Sequence, residues 1–126
     1  MSRPPWRILI ADDDPTAALL FRAALSAADF SAEIVDNGAD ALAIFRLEAF
    51  DAALLDVEMP GLDGIEVCQA IRQSHGSAFP VFLITGRGDE DFMCRVRSLE
   101  AGYLPKPIDW AVLPTLLREA LGVARP

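Results

Sequence analysis

Residues 50–64 have the sequence FDAALLDVEMPGLDG, and this stretch decides the fold more than any other. Its first six residues are a nearly continuous apolar run, which is typical of a strand buried on both faces of a sheet. An acidic residue, Asp56, follows the run directly. The remaining residues are rich in proline and glycine, which favour a loop, and a helical spacing of apolar residues begins at Ile65. The stretch therefore predicts a strand that ends in a carboxylate, then a loop and a helix.

The same strand–helix unit is predicted five times along the chain. The predicted strands are residues 7–11, 32–35, 50–55, 80–84 and 102–105. The predicted helices are residues 15–28, 39–47, 91–99 and 110–121, with a further helix that begins at residue 65 and fades at residues 74–76. Because parallel strands are joined by right-handed crossovers, this alternation predicts an α/β fold, a doubly wound five-stranded parallel sheet with helices on both faces. We expect one domain over residues 1–126, with its core in residues 7–121.

The composition excludes several classes of function. Hydrophobic residues make up 52% of the 126 residues, which is enough for a buried core. A formal net charge of −8 repels nucleic-acid phosphates and favours a basic protein partner or a bound cation. No apolar run approaches the roughly 20 residues that span a bilayer. Cys68 and Cys94 lack the spacing of a zinc site, so we expect reduced thiols in a cytoplasmic protein without membrane contact.

Polar side chains stand where the predicted strands end. They are Asp12, Asp13 and Asp14 after the first strand, Asp56 after the third, Thr85 after the fourth and Lys106 after the fifth. In an open parallel sheet the carboxyl ends of the strands lie along one edge, where ligands bind. Each residue alone has a simpler interpretation: an exposed lysine, a turn threonine or a helix-capping aspartate, which is the role we assign to Asp14. Their order on successive strands nevertheless indicates one shared site.

Residues of these types suit phosphoryl transfer. Clustered carboxylates repel one another, and a hard divalent cation such as Mg²⁺ relieves that repulsion. A carboxylate beside Mg²⁺ can attack phosphorus in line, while lysine and threonine side chains hold the transferred oxygens. The chain has no GxxxxGK[ST] loop, so the site is not expected to hold a nucleotide. We predict that it takes one small phosphoryl group.

Four motifs together resemble the receiver domain of bacterial two-component response regulators, including the single-domain chemotaxis regulator. The motifs are ILIADDDP at residues 8–15, LLDVEMPGLDG at 54–64, LITG at 83–86 and YLPKP at 103–107. The resemblance extends over residues 7–121, and four motifs in this order are highly specific. It implies a flavodoxin-like (βα)5 fold with strand order 2-1-3-4-5.

The resemblance also implies a role for each motif residue. Asp56 is the implied phosphoacceptor, and a sensor histidine kinase or a histidine phosphotransfer protein is the implied donor. The implied Mg²⁺ ligands are Asp13, Asp12 (directly or through water), Asp56 and the backbone carbonyl of Glu58.

Three further motif residues are implied to bind or report the phosphoryl group. Lys106 is expected to pair with it, Thr85 to move towards it, and Tyr103 to act as the aromatic switch that follows Thr85. The Lys106–Pro107 bond is expected to be cis. On this resemblance the domain is a signalling module rather than an enzyme, and its output passes to a downstream protein effector.

Three features depart from the family pattern. Residues 99–103 form a segment about one residue shorter than usual. Pro114 lies inside the last predicted helix, and we expect it to kink that helix or to delay its start towards Thr115. Glu58 and Arg87 occupy variable positions, two residues beyond the strand-end acid and hydroxyl. We hypothesise that the two pair across the mouth of the site and influence hydrolysis of the aspartyl phosphate; two solvated side chains are the alternative.

Two other functions stay open on the sequence alone. A Mg²⁺-dependent aspartyl-phosphate phosphatase or phosphotransferase would use an acid two residues after its nucleophile, where Glu58 stands, but would also need an inserted cap segment. A degenerate receiver used only for docking is the other alternative, although the strand-end set is complete. We expect the chain to act alone through protein contacts, or as part of a longer hybrid kinase or regulator. His75 is expected to lie exposed in a loop, without a role.

Overall fold

Five apolar runs form the strands of one parallel sheet. The computed structural model describes residues 4–26 and 29–124. Within them the strands are β1 (Trp6–Ala11), β2 (Phe30–Val35), β3 (Ala52–Asp56), β4 (Val81–Thr85) and β5 (Gly102–Pro105). Their order is β2-β1-β3-β4-β5, and all neighbouring strands are parallel. The predicted fold class and strand order are therefore confirmed.

Helices alternate with the strands and cover both faces of the sheet. Their bounds are α1 (Pro15–Ala24), α2 (Gly38–Leu47), α3 (Gly64–His75), α4 (Glu90–Ser98) and α5 (Leu113–Ala124). α2, α3 and α4 pack on one face with Leu9 and Leu55, while α1 and α5 pack on the other with Ile8 and Leu54. Neighbouring strand residues point to opposite faces, so each central strand supplies both layers of the core. None of the helices in the described part of the chain combines the length and apolar character needed to cross a membrane.

Short polar side chains start four of the helices. Asp14 accepts a hydrogen bond from the backbone N–H of Thr16 at 2.9 Å, which confirms the predicted cap of α1. Asn37, Asp63 and Asp89 cap α2, α3 and α4 in the same manner. Each helix begins near the carboxyl end of the preceding strand, so the positive ends of the helix dipoles lie along the edge that carries the strand-end acids.

The first helix is shorter than the predicted 15–28. α1 ends at Ala24. Ser26 donates to the carbonyl of Ala23 through both its backbone N–H, at 3.4 Å, and its hydroxyl, at 2.9 Å. A serine bound to the backbone in this way competes with continuation of the helix. The last two residues of the predicted helix, 27–28, lie outside the described residues.

The last helix starts later than the predicted residue 110. α5 begins at Leu113, after a turn in which the N–H of Val112 donates to the carbonyl of Asp109 at 3.2 Å. Pro114 lies in the first turn of α5, where its missing N–H removes no intrahelical hydrogen bond. Of the two effects expected of Pro114, the delayed start is the one found.

The other predicted elements match the observed ones or differ by one or two residues at their ends, and one of these shifts changes an interpretation. His75 is the last residue of α3, not a loop residue. It is exposed as predicted, but its ring packs edge-on against Phe45, with the ring centres 4.7 Å apart. The predicted loop position of His75 is therefore wrong, and its ring extends the contact between α2 and α3.

One arginine holds the short segment between α4 and β5. Arg72 on α3 donates to the backbone carbonyls of Leu99 at 2.7 Å, Glu100 at 3.1 Å, Phe79 at 2.6 Å and Gly76 at 2.9 Å. Glu100 has a φ of 52°, in the left-handed region, which turns the chain sharply at the end of α4. The segment that is shorter than the family pattern is thus closed by a backbone turn and fixed by side-chain hydrogen bonds.

We predict that Gly64→Ala destabilises the protein. A Cβ atom at Gly64, the first residue of α3, would lie 2.5 Å from the backbone oxygen of Asp56 and 2.9 Å from its carbonyl carbon. Backbone atoms cannot rotate away from such a contact, so we expect the free energy of unfolding to fall by about 2–3 kcal/mol in a urea titration. Gly122→Ala is the control, because a Cβ there meets nothing within 4 Å and alanine favours the helix. Equal stability of the two variants would contradict the prediction.

Candidate functional site

The carboxyl ends of four strands bring the predicted residues to one edge of the sheet. Asp12 and Asp13 follow β1, Asp56 is the last residue of β3, Thr85 is the last residue of β4, and Lys106 follows β5. β1, β3, β4 and β5 are successive neighbours in the sheet, so these side chains start from adjacent strand ends. The expected juxtaposition of carboxylates, hydroxyl and ammonium group is therefore present.

Three carboxylates form a compact acidic cluster. One oxygen from each of Asp12, Asp13 and Asp56 lies within 4.8 Å of the others. Asp12 and Asp56 are only 3% and 1% exposed, whereas Asp13 is exposed. The cluster is thus buried in the sheet edge on one side and open to solvent on the other.

Burial raises the pKa of both Asp12 and Asp56. The backbone N–H of Asp14, which donates to Asp12 at 2.9 Å, opposes the shift of the Asp12 pKa, and the charge of Asp56 adds to it. The backbone N–H of Glu58, at 3.0 Å, and the ammonium group of Lys106 oppose the shift of the Asp56 pKa. The protein's own donors thus offset only part of the cost of two buried carboxylates, and the cluster favours added positive charge.

The cluster suits a hard divalent cation. It offers only carboxylate oxygens, which are the ligands that Mg²⁺ and Ca²⁺ take in proteins. Mg²⁺ needs only one or two carboxylates because it keeps several of its waters, and the exposed position of Asp13 leaves room for water. A cation at this point would also offset the repulsion between the buried acids.

A second network, made of Asp56, Lys106, Glu58 and Thr85, adjoins the cluster. Lys106 Nζ donates to Asp56 Oδ1 at 3.2 Å and lies 3.9 Å from Glu58 Oε2. The other oxygen of Glu58, Oε1, accepts from the Thr85 hydroxyl at 3.0 Å. Sequence reasoning expected the Glu58 carboxylate to pair with Arg87 at the mouth of the site and missed its contacts with Thr85 and Lys106. The available signal was an acid two residues after the strand end.

Lys106 remains charged at this site. Burial acts to lower its pKa, but the hydrogen bond to Asp56 and the charges of Asp56, Asp12 and Glu58 outweigh that effect and raise the pKa above its ordinary value. The Lys106–Pro107 bond is cis, as the resemblance implied. A fixed positive charge therefore stands next to Asp56 on the side of β5.

Arg87 does not pair with Glu58, and that prediction is wrong. The Arg87 guanidinium donates from Nε and Nη2 to the two carboxylate oxygens of Asp89, both at 3.1 Å, and its Cζ lies 4.7 Å from the ring centre of Phe92. Asp89 is close in sequence and presents both oxygens to the planar fork of the guanidinium. Glu58, in turn, is held by the second network.

Tyr103 is connected to Thr85 through the backbone of one residue, Arg87. The backbone N–H of Arg87 donates to the Thr85 oxygen at 3.0 Å, and the backbone carbonyl of Arg87 accepts from the Tyr103 hydroxyl at 2.9 Å. The Tyr103 ring is half-buried and packs against the core layer beneath α2, α3 and α4. A displacement of the Thr85 hydroxyl would therefore act on Tyr103 through the segment that follows β4.

Comparisons with known proteins agree on one family. A family model described as "Response regulator receiver domain" matches residues 8–118. The chain is 39% identical over 120 residues to the response regulator MprA of Mycolicibacterium vanbaalenii, and the alignment covers 93% of this chain and 51% of that protein. The chain thus spans about half the length of the curated relatives it matches.

Solved structures give the same result. The chemotaxis protein CheY4 of Vibrio cholerae is 26% identical and superposes with a TM-score of 0.83, over 92% of this chain and 98% of that one. The signal receiver domain of a signal transduction histidine kinase from Syntrophus aciditrophicus is 28% identical and has a TM-score of 0.83, over 93% of this chain and 90% of that one.

We predict that Asp12→Asn stabilises the metal-free protein at neutral pH. Because burial raises the pKa of Asp12 above its ordinary value of 3.8, the folded protein binds this proton more tightly than the unfolded chain does. The stability of the wild type therefore falls as the pH rises through the raised pKa. The variant carries an uncharged side chain at every pH and does not lose stability in this way. Its thermal midpoint should exceed that of the wild type at neutral pH, and the difference should vanish below pH 3.8.

The matched control for this prediction is Asp109→Asn. Asp109 accepts from the backbone N–H of Ala111 at 3.2 Å, two residues on, as Asp12 does from Asp14, but it is exposed. Its replacement should leave the midpoint nearly unchanged at both pH values. Equal midpoints for Asp12→Asn and the wild type at neutral pH, with a chelator present, would contradict the prediction.

Proposed function

Because the chain belongs to the response regulator receiver domain family, we propose that Asp56 is its phosphoacceptor in a two-component or phosphorelay signalling system. Receiver domains are signalling domains, and their modification is read by other proteins as a change of shape. The observation that carries the proposal is the position of Asp56, which belongs both to the acidic cluster and to the Lys106 network. A phosphoryl group on Asp56 would therefore stand between a cation site and a fixed ammonium group, which neutralise its charge from two sides.

The reacting atom in this proposal is Asp56 Oδ2. Both hydrogen bonds that the described residues donate to Asp56, from the N–H of Glu58 and from Lys106, end on Oδ1. Oδ2 is thus the oxygen left to attack phosphorus. The new O–P bond forms as the bond between phosphorus and the donor atom breaks, and the donor atom keeps that electron pair.

The acidic cluster is the proposed Mg²⁺ site. Asp12, Asp13, Asp56 and the backbone carbonyl of Glu58 would hold the ion. Bound Mg²⁺ supplies positive charge to the transferred oxygens. The all-oxygen donor set and the raised pKa values of two of its members support this assignment. Lys106 contributes a second positive charge from the opposite side of Asp56.

Thr85 and Tyr103 are the proposed switch. Thr85 is fully buried, and its hydroxyl would turn from Glu58 to an oxygen of the phosphoryl group. The backbone of Arg87 donates its N–H to Thr85 and accepts from the Tyr103 hydroxyl at its carbonyl, and it would carry that movement to the tyrosine ring. The surface around α4 and β5 would then present a different shape to an effector.

The proposed phosphoryl donor is a sensor histidine kinase or a histidine phosphotransfer protein. The net charge of −8 supports protein partners with a basic surface over nucleic acid. We also propose that residues 1–126 form a single receiver unit with its core in residues 7–121, and that it works in the cytoplasm. Output would reach a separate effector protein or a further part of a longer regulator.

We predict that acetyl phosphate with Mg²⁺ adds one phosphoryl group to the protein and that Asp56→Asn abolishes this reaction. An amide at this position keeps the shape of the side chain but is not a nucleophile. Intact-mass spectrometry measures the modification, and peptide mapping locates it. Asp63→Asn is the control, because asparagine caps a helix as well as aspartate does and Asp63 lies outside the cluster.

Three results would overturn the proposed function. An unmodified wild type would leave a domain that serves only for docking. Release of phosphate over many rapid turnovers would instead indicate a phosphatase. Modification of Asp56→Asn to the wild-type extent would remove Asp56 from its role.

We predict that Thr85→Ala still accepts the phosphoryl group but loses the response of Tyr103. The variant keeps Asp56 and Lys106 and removes the hydroxyl that links the site to the segment after β4, together with the γ-methyl group. Tyr103 is the single tyrosine of the sequence, so fluorotyrosine incorporation gives one fluorine NMR signal whose shift on modification can be followed. The control is Thr115→Ala, on the exposed side of α5, in which the Tyr103 signal should shift on modification as it does in the wild type. A full shift in Thr85→Ala would contradict the prediction.

A further inference from the structure

The carboxylate of Glu58 engages the same two side chains that a phosphoryl group on Asp56 would need. Its Oε1 accepts from the Thr85 hydroxyl at 3.0 Å, and its Oε2 lies 3.9 Å from Lys106 Nζ. We propose that Glu58 is an internal competitor of the phosphoryl group. It holds Thr85 and Lys106 in the unmodified domain and has to leave them when Asp56 is modified. The inference rests on the proposed acceptor role of Asp56.

The hydroxyl of Thr85 can serve only one acceptor at a time. A hydroxyl has one proton to donate, and in this structure that proton points to Glu58. The oxygen of Thr85 is already occupied as the acceptor of the Arg87 N–H at 3.0 Å. Thr85 has no exposed surface, so water cannot take the place of either partner. Donation to a phosphoryl oxygen therefore requires that the bond to Glu58 breaks.

The charges lead to the same exclusion. Lys106 stands between two carboxylates, with Nζ 3.2 Å from Asp56 Oδ1 and 3.9 Å from Glu58 Oε2. A phosphorylated Asp56 carries a charge of about −1.5 to −2 at neutral pH, in place of the single negative charge of the free carboxylate. One ammonium group cannot neutralise that charge and Glu58 together, and like charges that share a site repel. The modified domain is therefore more stable with the Glu58 carboxylate moved away.

The burial of the side chains decides which group moves. The side chain of Asp56 is 2% exposed and that of Glu58 is 52% exposed. Glu58 can therefore turn into solvent and regain hydration, whereas Asp56 is fixed at the end of β3. Competition by Glu58 lowers the affinity of the site for phosphoryl groups, and it returns Thr85 to its starting hydrogen bond when the phosphoryl group is lost.

The test compares binding of beryllofluoride, a phosphoryl mimic, to the wild type, Glu58→Gln and Glu58→Ala at saturating Mg²⁺. Glutamine keeps the length of the side chain and loses its charge, while alanine removes both oxygens. Both substitutions leave the backbone carbonyl of residue 58 in place. Glu119→Gln, on the exposed side of α5, is the control for net charge. Isothermal titration calorimetry gives the affinities.

A second readout is recorded on the free variants, with the beryllofluoride complex of the wild type as the reference. The sequence contains three threonines, Thr16, Thr85 and Thr115, so threonine-selective methyl labelling gives three NMR signals. In the free protein, Glu58→Gln and Glu58→Ala should move the Thr85 signal towards its position in the beryllofluoride complex. The other two signals should stay in place, and Glu119→Gln should leave the Thr85 signal unchanged.

We expect beryllofluoride to bind Glu58→Gln about 3- to 10-fold more tightly than the wild type, because a hydrogen bond to a charged acceptor is roughly twice as strong as one to a neutral acceptor. Glu58→Ala should bind at least as tightly as Glu58→Gln. Affinities of both variants equal to or below that of the wild type would overturn the competitor role. An equal gain in Glu119→Gln would also overturn it, since net charge alone would then explain the effect.

The two proposals fail in different ways. If the wild type does not bind beryllofluoride at all, the acceptor role of Asp56 is wrong and the competitor role falls with it. If the wild type binds it and the Glu58 variants bind with unchanged affinity, Asp56 keeps its role and only the competition is refuted. Because the Glu58 side chain is half exposed, both variants are expected to fold, and their thermal midpoints check this.

Discussion

Two carboxylates buried at one edge of a sheet repel each other, and the arrangement of this site follows from the ways in which that repulsion is relieved. Backbone N–H groups donate to Asp12 and Asp56, and Lys106 approaches Asp56 from the next strand but one. These donors are not sufficient, since the pKa values of both acids stay raised. The protein alone therefore leaves an excess of negative charge in a poorly hydrated place. An excess of this kind favours a bound cation and keeps a lysine charged beside Asp56, the proposed phosphoacceptor.

The fold supplies the rigidity that this arrangement needs. Asp56 is the last residue of a central strand with hydrogen-bonded neighbours on both sides, and the start of α3 packs directly on its backbone at Gly64. Its carboxylate therefore cannot withdraw from its neighbours by a backbone shift. Three side chains would move in the proposed switch: Thr85 at the end of β4, Tyr103 in the edge strand β5 and Glu58 in the loop after β3. The proposal thus moves side chains and leaves the backbone of the central strand β3 in place.

The sequence was sufficient to predict the features that depend on periodicity and order. Apolar runs of strand length, each ending in a polar residue, predicted the parallel sheet and the meeting of Asp12, Asp56, Thr85 and Lys106, whereas the strand order was implied by the resemblance of four motifs to a known family. Features that depend on competition between nearby partners were not predictable in this way. Arg87 had two acids within reach, and Asp89 prevailed through its proximity and its two-pronged contact. The carboxylate of Glu58 took Thr85 because Thr85 is sealed from water, and burial of that kind is a property of the assembled core. The end of α1 was misjudged because one serine, Ser26, competes locally for the backbone.

The four carbonyl contacts of Arg72 have a consequence for the mechanics of the domain. Two of them, to Leu99 and Glu100, tie the C-terminal end of α4 to α3. The N-terminal end of α4, capped by Asp89, is connected to Thr85 through the backbone of Arg87. A helix that is held at one end and displaced at the other rotates about the held end. We therefore expect α4 to rotate about its C-terminal end when the Thr85 hydroxyl moves. The largest surface displacement should then occur at the N-terminal end of α4, near Glu90 and Asp91.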